Sequence, residues 1–244
     1  SALAVNPANT NRQYLHFSSF SFYRAAAHCF WDEANLEIYP TRLYKVSPAQ
    51  LISVYIINEG SDVTEIYVPS NYKDRVGYYE DDLAIVRLVQ QFKFSDTIKP
   101  ICFEYKRLAA ASIETGELGF IVGWGPTATS ADVDVFQKVD VNTVSYHTCR
   151  DRLTFNDKPY DLPSDKFCVQ RVTKTGDICR GDSGGGFVKY DSRTGKHYLI
   201  GVISHAPLKQ NDCGRDGLVA MTNVQTNFKI SEYIDEDQDP IVFV

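Results

Sequence analysis

The sequence predicts an all-β fold, and three observations carry that expectation. Residues 51–57 and 63–68 are apolar, β-branched stretches on either side of the turn Asn58-Glu59-Gly60-Ser61, the pattern of a hairpin. Residues 136–144 alternate apolar and polar, as a strand with one buried face must. Nowhere do strands alternate with long helical patterns, which argues against a parallel α/β sheet. At 244 residues the chain can bury a large core, and all-β chains of this size commonly form one unit of two barrels.

Residues 1–13 are polar, with Asn6-Pro7 and Asn9-Thr10-Asn11, and read as a loop or extended arm. Residues 14–23 are rich in aromatics and read as a strand; His16 within it reads as a hydrogen-bonded structural histidine. Pro69 opens a loop that ends at Asp82, where Leu83-Ala84-Ile85-Val86 begins an apolar strand. Residues 104–116 read as a linker with some helical character, and Phe120-Ile121-Val122-Gly123-Trp124-Gly125 as the next strand, Trp124 being core. The segment from Cys149 to Cys168, with Pro159 and Pro163, reads as a long loop. Residues 187–190 and 198–203 read as a hairpin. Phe228, Ile230, Tyr233 and Ile234 suit a short helix, and Asp235-Glu236-Asp237-Gln238-Asp239 reads as a solvated acidic tail.

Composition narrows the partners. Hydrophobic residues make up 43% and charged residues 23%, ordinary for a globular chain. A net charge of −6 with no basic run argues against nucleic acid and anionic membranes. The apolar run Ile241-Val242-Phe243-Val244 is far too short to span a bilayer, and the N-terminal residues lack the regions of a signal peptide. No N-x-Ser/Thr sequon occurs, so N-glycosylation of this segment is not expected. The six cysteines form no C-x-x-C pair and no zinc pattern, so neither a metal nor a cofactor is expected. A disulfide framework fits better and implies an oxidising, extracellular compartment.

The chemistry converges on Asp177-Ile178-Cys179-Arg180-Gly181-Asp182-Ser183-Gly184-Gly185-Gly186. A serine hydroxyl is a poor nucleophile until a base, an orienter for the base and oxyanion donors surround it. Glycines on both sides of Ser183 allow a tight turn and a close approach to a carbonyl, and the amides of Gly181 and Ser183 are placed to form an oxyanion hole. The competing reading is a glycine-rich hairpin turn. His28, in Ala25-Ala26-Ala27-His28-Cys29, supplies a base, and Asp82 a carboxylate at the mouth of an apolar strand. Asp81, one residue earlier, is the alternative carboxylate; His197 and His205 are alternative bases by residue type only. Gly181-x-Ser183-x-Gly185 also matches a nucleophile elbow, but that fold runs Ser, Asp, His and needs a longer chain after the serine. The order here is His, Asp, Ser.

These motifs resemble the catalytic domain of a chymotrypsin-like (trypsin-fold) serine protease. The resemblance rests on Ala26-Ala27-His28-Cys29, Asp82-Leu83-Ala84-Ile85, Pro100-Ile101-Cys102, Gly123-Trp124-Gly125, Cys179-Arg180-Gly181-Asp182-Ser183-Gly184-Gly185 and Gly201-Val202-Ile203-Ser204, in the family's order from about residue 25 to about residue 224. Within the family it is most similar to proteases that initiate extracellular immune cascades, of the insect modular serine protease or complement factor B kind. The resemblance implies two six-stranded antiparallel β-barrels with a short C-terminal helix. Residues 1–110 would carry His28 and Asp82, residues 111–244 would carry Ser183, and the boundary would fall near 105–117. It implies a secreted serine endopeptidase acting on a protein substrate, such as a downstream protease zymogen.

The resemblance also assigns roles. His28, Asp82 and Ser183 would be catalytic, and Asp177, Ile178, Ser204, His205 and Ala206 would line the primary pocket. Asp177 at its base predicts cleavage after Arg or Lys. Ile178, His205 and Ala206 depart from the family's usual residues, and the other wall falls on Gly217 or Val219 by different counts. Cys149 would pair with Cys168 and Cys179 with Cys213. Cys102 would tether upstream regulatory modules and Cys29 is left over; two buried thiols or a direct bridge between them are the alternatives. The family's Ile-Val-Gly-Gly start is not found, so Asp182, which normally receives that terminal amine in an activation pocket, needs another cation or several donors. A zymogen or partner-activated protease, or a pseudoprotease serving as a binding module, are the alternatives this leaves open.

Overall fold

Alternation becomes strand where the sequence predicts it. In the computed structural model, which describes residues 19–47, 60–96, 98–99, 101–102, 113–123, 137–155, 158–159, 161–173, 178–179, 181–206, 217–224 and 241–243, the chain is mostly strand. Strand β1 (Ser19–Ala25) runs into the 3-10 turn Ala27–Cys29, then a small hairpin of β2 (Trp31–Asp32) and β3 (Glu37–Ile38). β4 (Lys45–Val46), β5 (Ser61–Tyr67) and β6 (Ala84–Lys93) complete the first half. Val63 and Ile66 of β5 are both buried although three residues apart, because the pairing with β6 shifts register between Val63 and Glu65, a bulge that resets the alternation. The expected strand at 51–57, the helix at 226–235 and the boundary residues 105–112 lie outside the described residues.

The second half contains β7 (Leu118–Gly123), β8 (Gln137–Val144), helix α1 (Tyr146–Arg152), the short pair β9 (Thr154–Phe155) and β10 (Lys158–Pro159), β11 (Lys166–Arg171), β12 (Gly186–Asp191), β13 (Lys196–His205) and β14 (Leu218–Asn223). β11, β14, β13, β12, β7 and β8 close into a six-stranded barrel. Closure leaves no unpaired edge and buries Ile121, Val139, Val141, Val169, Phe187, Val219 and Met221 inside. Helix α1 sits where the sequence predicts a loop. Ser145 caps it, its Oγ accepting a hydrogen bond from Thr148 N, and its Cys149 is disulfide-bonded to Cys168 of β11.

The first half is, among the described residues, a five-stranded sheet in the order β15-β1-β6-β5-β4, where β15 is Ile241–Phe243. β15 runs parallel to β1, so this sheet is not wholly antiparallel, and the end of the chain returns to the half where it began. The two halves meet over a shared apolar cluster. Ala26, Leu83, Ile85 and Ile101 contribute from one side, and Val188, Leu199, Val202 and Val224 from the other. The candidate site lies directly above this seam. No helix among the described residues is long and apolar enough to cross a membrane.

Candidate active site

β-pairing places His28 beside Asp82. β1 and β6 are antiparallel with Ala25 opposite Ala84, so the residues just past the end of β1 face those just before the start of β6. The 3-10 turn turns His28 back over this junction. Its backbone N donates to Asp82 Oδ1 at 2.9 Å and its Nδ1 to Asp82 Oδ2 at 2.8 Å. The Asp82 side chain has none of its surface exposed and that of His28 20%. A third donor, Ser204 Oγ, reaches Asp82 Oδ2 at 2.6 Å. A carboxylate this buried would ordinarily rise in pKa. The His28 charge and these hydrogen bonds outweigh burial and hold Asp82 well below the usual carboxylate range. Burial disfavours a charge on His28 too, but the Asp82 carboxylate outweighs it and holds the imidazole above its ordinary value.

Asp81 points elsewhere. Its side chain accepts from Asn71 Nδ2, and its backbone N donates to Asp165 Oδ2 at 3.1 Å. Of the two adjacent acids, Asp82 is the one that meets the histidine.

The Ser183 turn lies against the same junction. Gly184 N donates to Ile203 O at 3.0 Å and Ile203 N to Gly185 O at 2.8 Å, tying the turn to β13 just before Ser204. Gly184 has φ +81°, and a Cβ on it would sit 3.3 Å from Ala26 N and 3.6 Å from Ala25 Cβ. Only glycine fits both the left-handed backbone and this approach to the His28 turn. Gly181, also left-handed at φ +101°, precedes Ser183 with open space beside it. Among the described residues no hydrogen bond joins His28 to the half-buried Ser183. Such bonds are often long without substrate.

The remaining predicted site residues scatter in role. Asp182 is buried and its Oδ2 accepts from Cys179 N at 2.9 Å. Ile178 is buried in the barrel core, and Ala206 packs against the same cluster. Asp177 and Cys213 lie outside the described residues. Cys179 is disulfide-bonded, whereas Cys29 and Cys102 are half-buried and stand outside any disulfide. His197 packs between Phe120 and Tyr190, away from Ser183.

His205 is better placed than its sequence context suggested. Ser204 donates to Asp82, so its oxygen is left to accept from His205 Nδ1 at 3.2 Å. Burial, helped by the Lys166 charge, pushes the His205 imidazole down to about 3, so it stands neutral. Tyr79 stacks on His205 at 4.9 Å between ring centroids and meets the His28 ring edge-on at 5.8 Å. Sequence reading passed over Tyr79 as a loop residue. Its signal was its place three residues before Asp82.

The chain matches the protein-family model described as Trypsin over residues 24–229. It is 32% identical over 212 residues to the Modular serine protease of Drosophila melanogaster, covering 82% of this chain and 32% of that relative. It is 30% identical over 180 residues to the CLIP domain-containing serine protease B4 of Anopheles gambiae, covering 74% and 46%. Likeness to the Proclotting enzyme of Tachypleus tridentatus is 27% over 183 residues, covering 73% and 47%. The chain thus spans less than half the length of these curated relatives.

Proposed function

The chain belongs to the trypsin family, as a chymotrypsin-like serine protease domain, and on that premise we propose that it cleaves peptide bonds through His28, Asp82 and Ser183. The observation that carries this reading is the His28–Asp82 hydrogen bond with the Ser183 turn packed against the same junction. In the proposed mechanism His28 Nε2 takes the Ser183 proton as Oγ attacks the scissile carbonyl. Asp82 fixes the tautomer in which Nδ1 carries hydrogen and offsets the imidazolium charge. The amides of Gly181 and Ser183 hold the oxyanion, and His28 returns the proton to the leaving amine. Asp177 at the base of the primary pocket favours Arg or Lys before the cleaved bond.

The names of the relatives, modular and CLIP-domain proteases and a proclotting enzyme, support a role in limited proteolysis within an extracellular cascade. The Cys149–Cys168 disulfide supports the oxidising compartment such a role needs. In this reading the substrate is a protein, such as a protease zymogen, Cys102 tethers upstream regulatory modules, and Cys179 pairs with Cys213. A second reading is a latent form that completes its site when a partner docks. The departures of Ile178, His205 and Ala206 from the family's usual pocket residues favour it.

The test is labelling with a fluorophosphonate probe, with the adduct located by mass spectrometry. The expected result is a single adduct on Ser183, lost in Ser183→Ala, with peptides bearing Arg or Lys before the cleaved bond turned over fastest. No adduct on Ser183, alone or with candidate partners, overturns the enzyme reading; an adduct only with a partner supports the latent form.

A further inference from the structure

Joined through Asp165 to the Asp81 peptide lies a buried cation that the proposed mechanism does not use. Lys166 opens β11, and none of its side-chain surface is exposed; that of Asp165 is 6% exposed. An ammonium removed from water costs several kcal/mol unless it is closely paired. Here Lys166 Nζ lies 2.5 Å from Asp165 Oδ2. The same Oδ2 accepts the Asp81 N–H at 3.1 Å, while the Asp165 carbonyl accepts Asn223 N at 2.8 Å. Asp165 therefore ties the loop that presents Asp82 from the first half to the barrel of the second.

That loop needs a tie. Tyr78, Tyr79 and Asp81 all adopt left-handed backbone, with φ of 52°, 59° and 58°. A non-glycine residue in this region is strained and persists only where surrounding contacts fix it. The Asp81 peptide, one residue before Asp82, is fixed by Asp165.

We propose that the Asp165–Lys166 pair positions and electrostatically tunes the His28–Asp82 pair. Asp165 pins the Asp81 peptide so that Asp82 faces His28, and the Lys166 ammonium opposes an extra positive charge on His28. The titratable and charged groups around the pair are Cys29 of the His28 turn and Tyr72, Asp74, Arg75 and Tyr79 of the loop before β6. His205 of β13 and the paired Asp165 and Lys166 at the entrance of β11 stand with them. Of these, Lys166 is the buried cation besides His28 itself. Its charge also helps hold Asp82 low and His205 low.

The inference rests on His28 serving as the base, and its test separates the two. Lys166→Met replaces the ammonium with a side chain of similar length. Two readouts follow against pH: the His28 imidazole by NMR, assigned with His28→Gln, and the rate of fluorophosphonate labelling of Ser183. Removing the positive charge favours imidazolium, so the His28 midpoint should rise and the acid limb of labelling should move up with it. Labelling on that limb should fall about threefold relative to the alkaline plateau, the effect of half a pH unit. Should Lys166→Met fail to fold because Asp165 is left unpaired, Asp165→Asn with Lys166→Met removes both charges and should give a smaller shift of the same sign. A folded variant whose His28 titration superimposes on that of the parent overturns the proposal. Normal labelling with an unmoved titration overturns the proposal and leaves the enzyme reading standing. Absent Ser183 labelling in the parent, alone and with candidate partners, removes the enzyme reading, and the His28 titration still decides the role of Lys166.

Discussion

At the scale of single residues the site is a competition between burial and pairing. Asp82 is fully buried yet ionised because three donors converge on its two oxygens. Replacing it with Asn keeps the shape and loses the charge. The amide's NH2 would then face the ring and favour the tautomer with hydrogen on Nε2, which cannot take a proton from Ser183. Asp82→Asn should lower kcat by roughly 10⁴-fold with little change in KM, read from peptide hydrolysis. The sign of its stability effect follows from linkage. The depressed Asp82 contributes stability that is present above the ordinary carboxylate value of 3.8 and lost as pH falls through its folded value. The raised His28 contributes stability that is complete below the ordinary imidazole value of 6.5 and lost as pH rises through its folded value. The cost of Asp82→Asn in urea melts should therefore be largest between 3.8 and 6.5 and shrink on either side. A cost that does not vary with pH would mean that the pair is not ionised in the folded state.

At the scale of elements, short pieces with local chemistry hold the long strands in place. Helix α1 spans only Tyr146–Arg152, too short to persist on its own. Ser145 satisfies one of its first amides, Arg150 and Arg152 oppose its C-terminal dipole, and the Cys149–Cys168 bond fixes it to β11. Ser145→Ala should cost about 1 kcal/mol in urea melts, and Ser145→Asp, which also caps, should restore it. With the Ser183 turn tied to β13 and the helix to β11, Ser183 labelling in the folded protein should not change. The same helix shows where sequence reading stops. Seven residues give barely two turns, so apolar spacing cannot reveal it, and Ser145 alone was the signal. β15 was hidden for a similar reason, since Ile241-Val242-Phe243 reads as a tail until β1 offers it an edge. By contrast β8 was legible because its residues alternate against one buried face, and β5 because apolar, β-branched residues follow a turn.

At the scale of the whole molecule, the candidate site exists only where two halves meet. His28 and Asp82 were legible because each borders an apolar segment, and Ser183 because glycines flank it. What joins them was not legible. Asp165 and Lys166 fall in the segment that reads as a long loop, and only the folded structure shows them buried. Tyr79 likewise gains its place between His28 and His205 from tertiary contact. The seam itself should then be separable from bulk stability. Ile85, fully buried on β6, packs into the cluster shared with Val188, Leu199 and Val202, whereas Leu153 packs beside the Cys149–Cys168 disulfide in a separate cluster of the second half. Truncating either to Ala leaves a cavity and should cost about 2–5 kcal/mol. Well below the melting temperature of both, Leu153→Ala should label on Ser183 at the parent rate, because its cavity opens in a cluster that shares no residue with the seam. Ile85→Ala should label several-fold more slowly, because a loosened seam shifts the His28–Asp82 pair relative to the Ser183 turn. Chemical labelling at a matched fraction folded decides the point: equal rates for the two variants would mean that the halves hold their alignment without the seam.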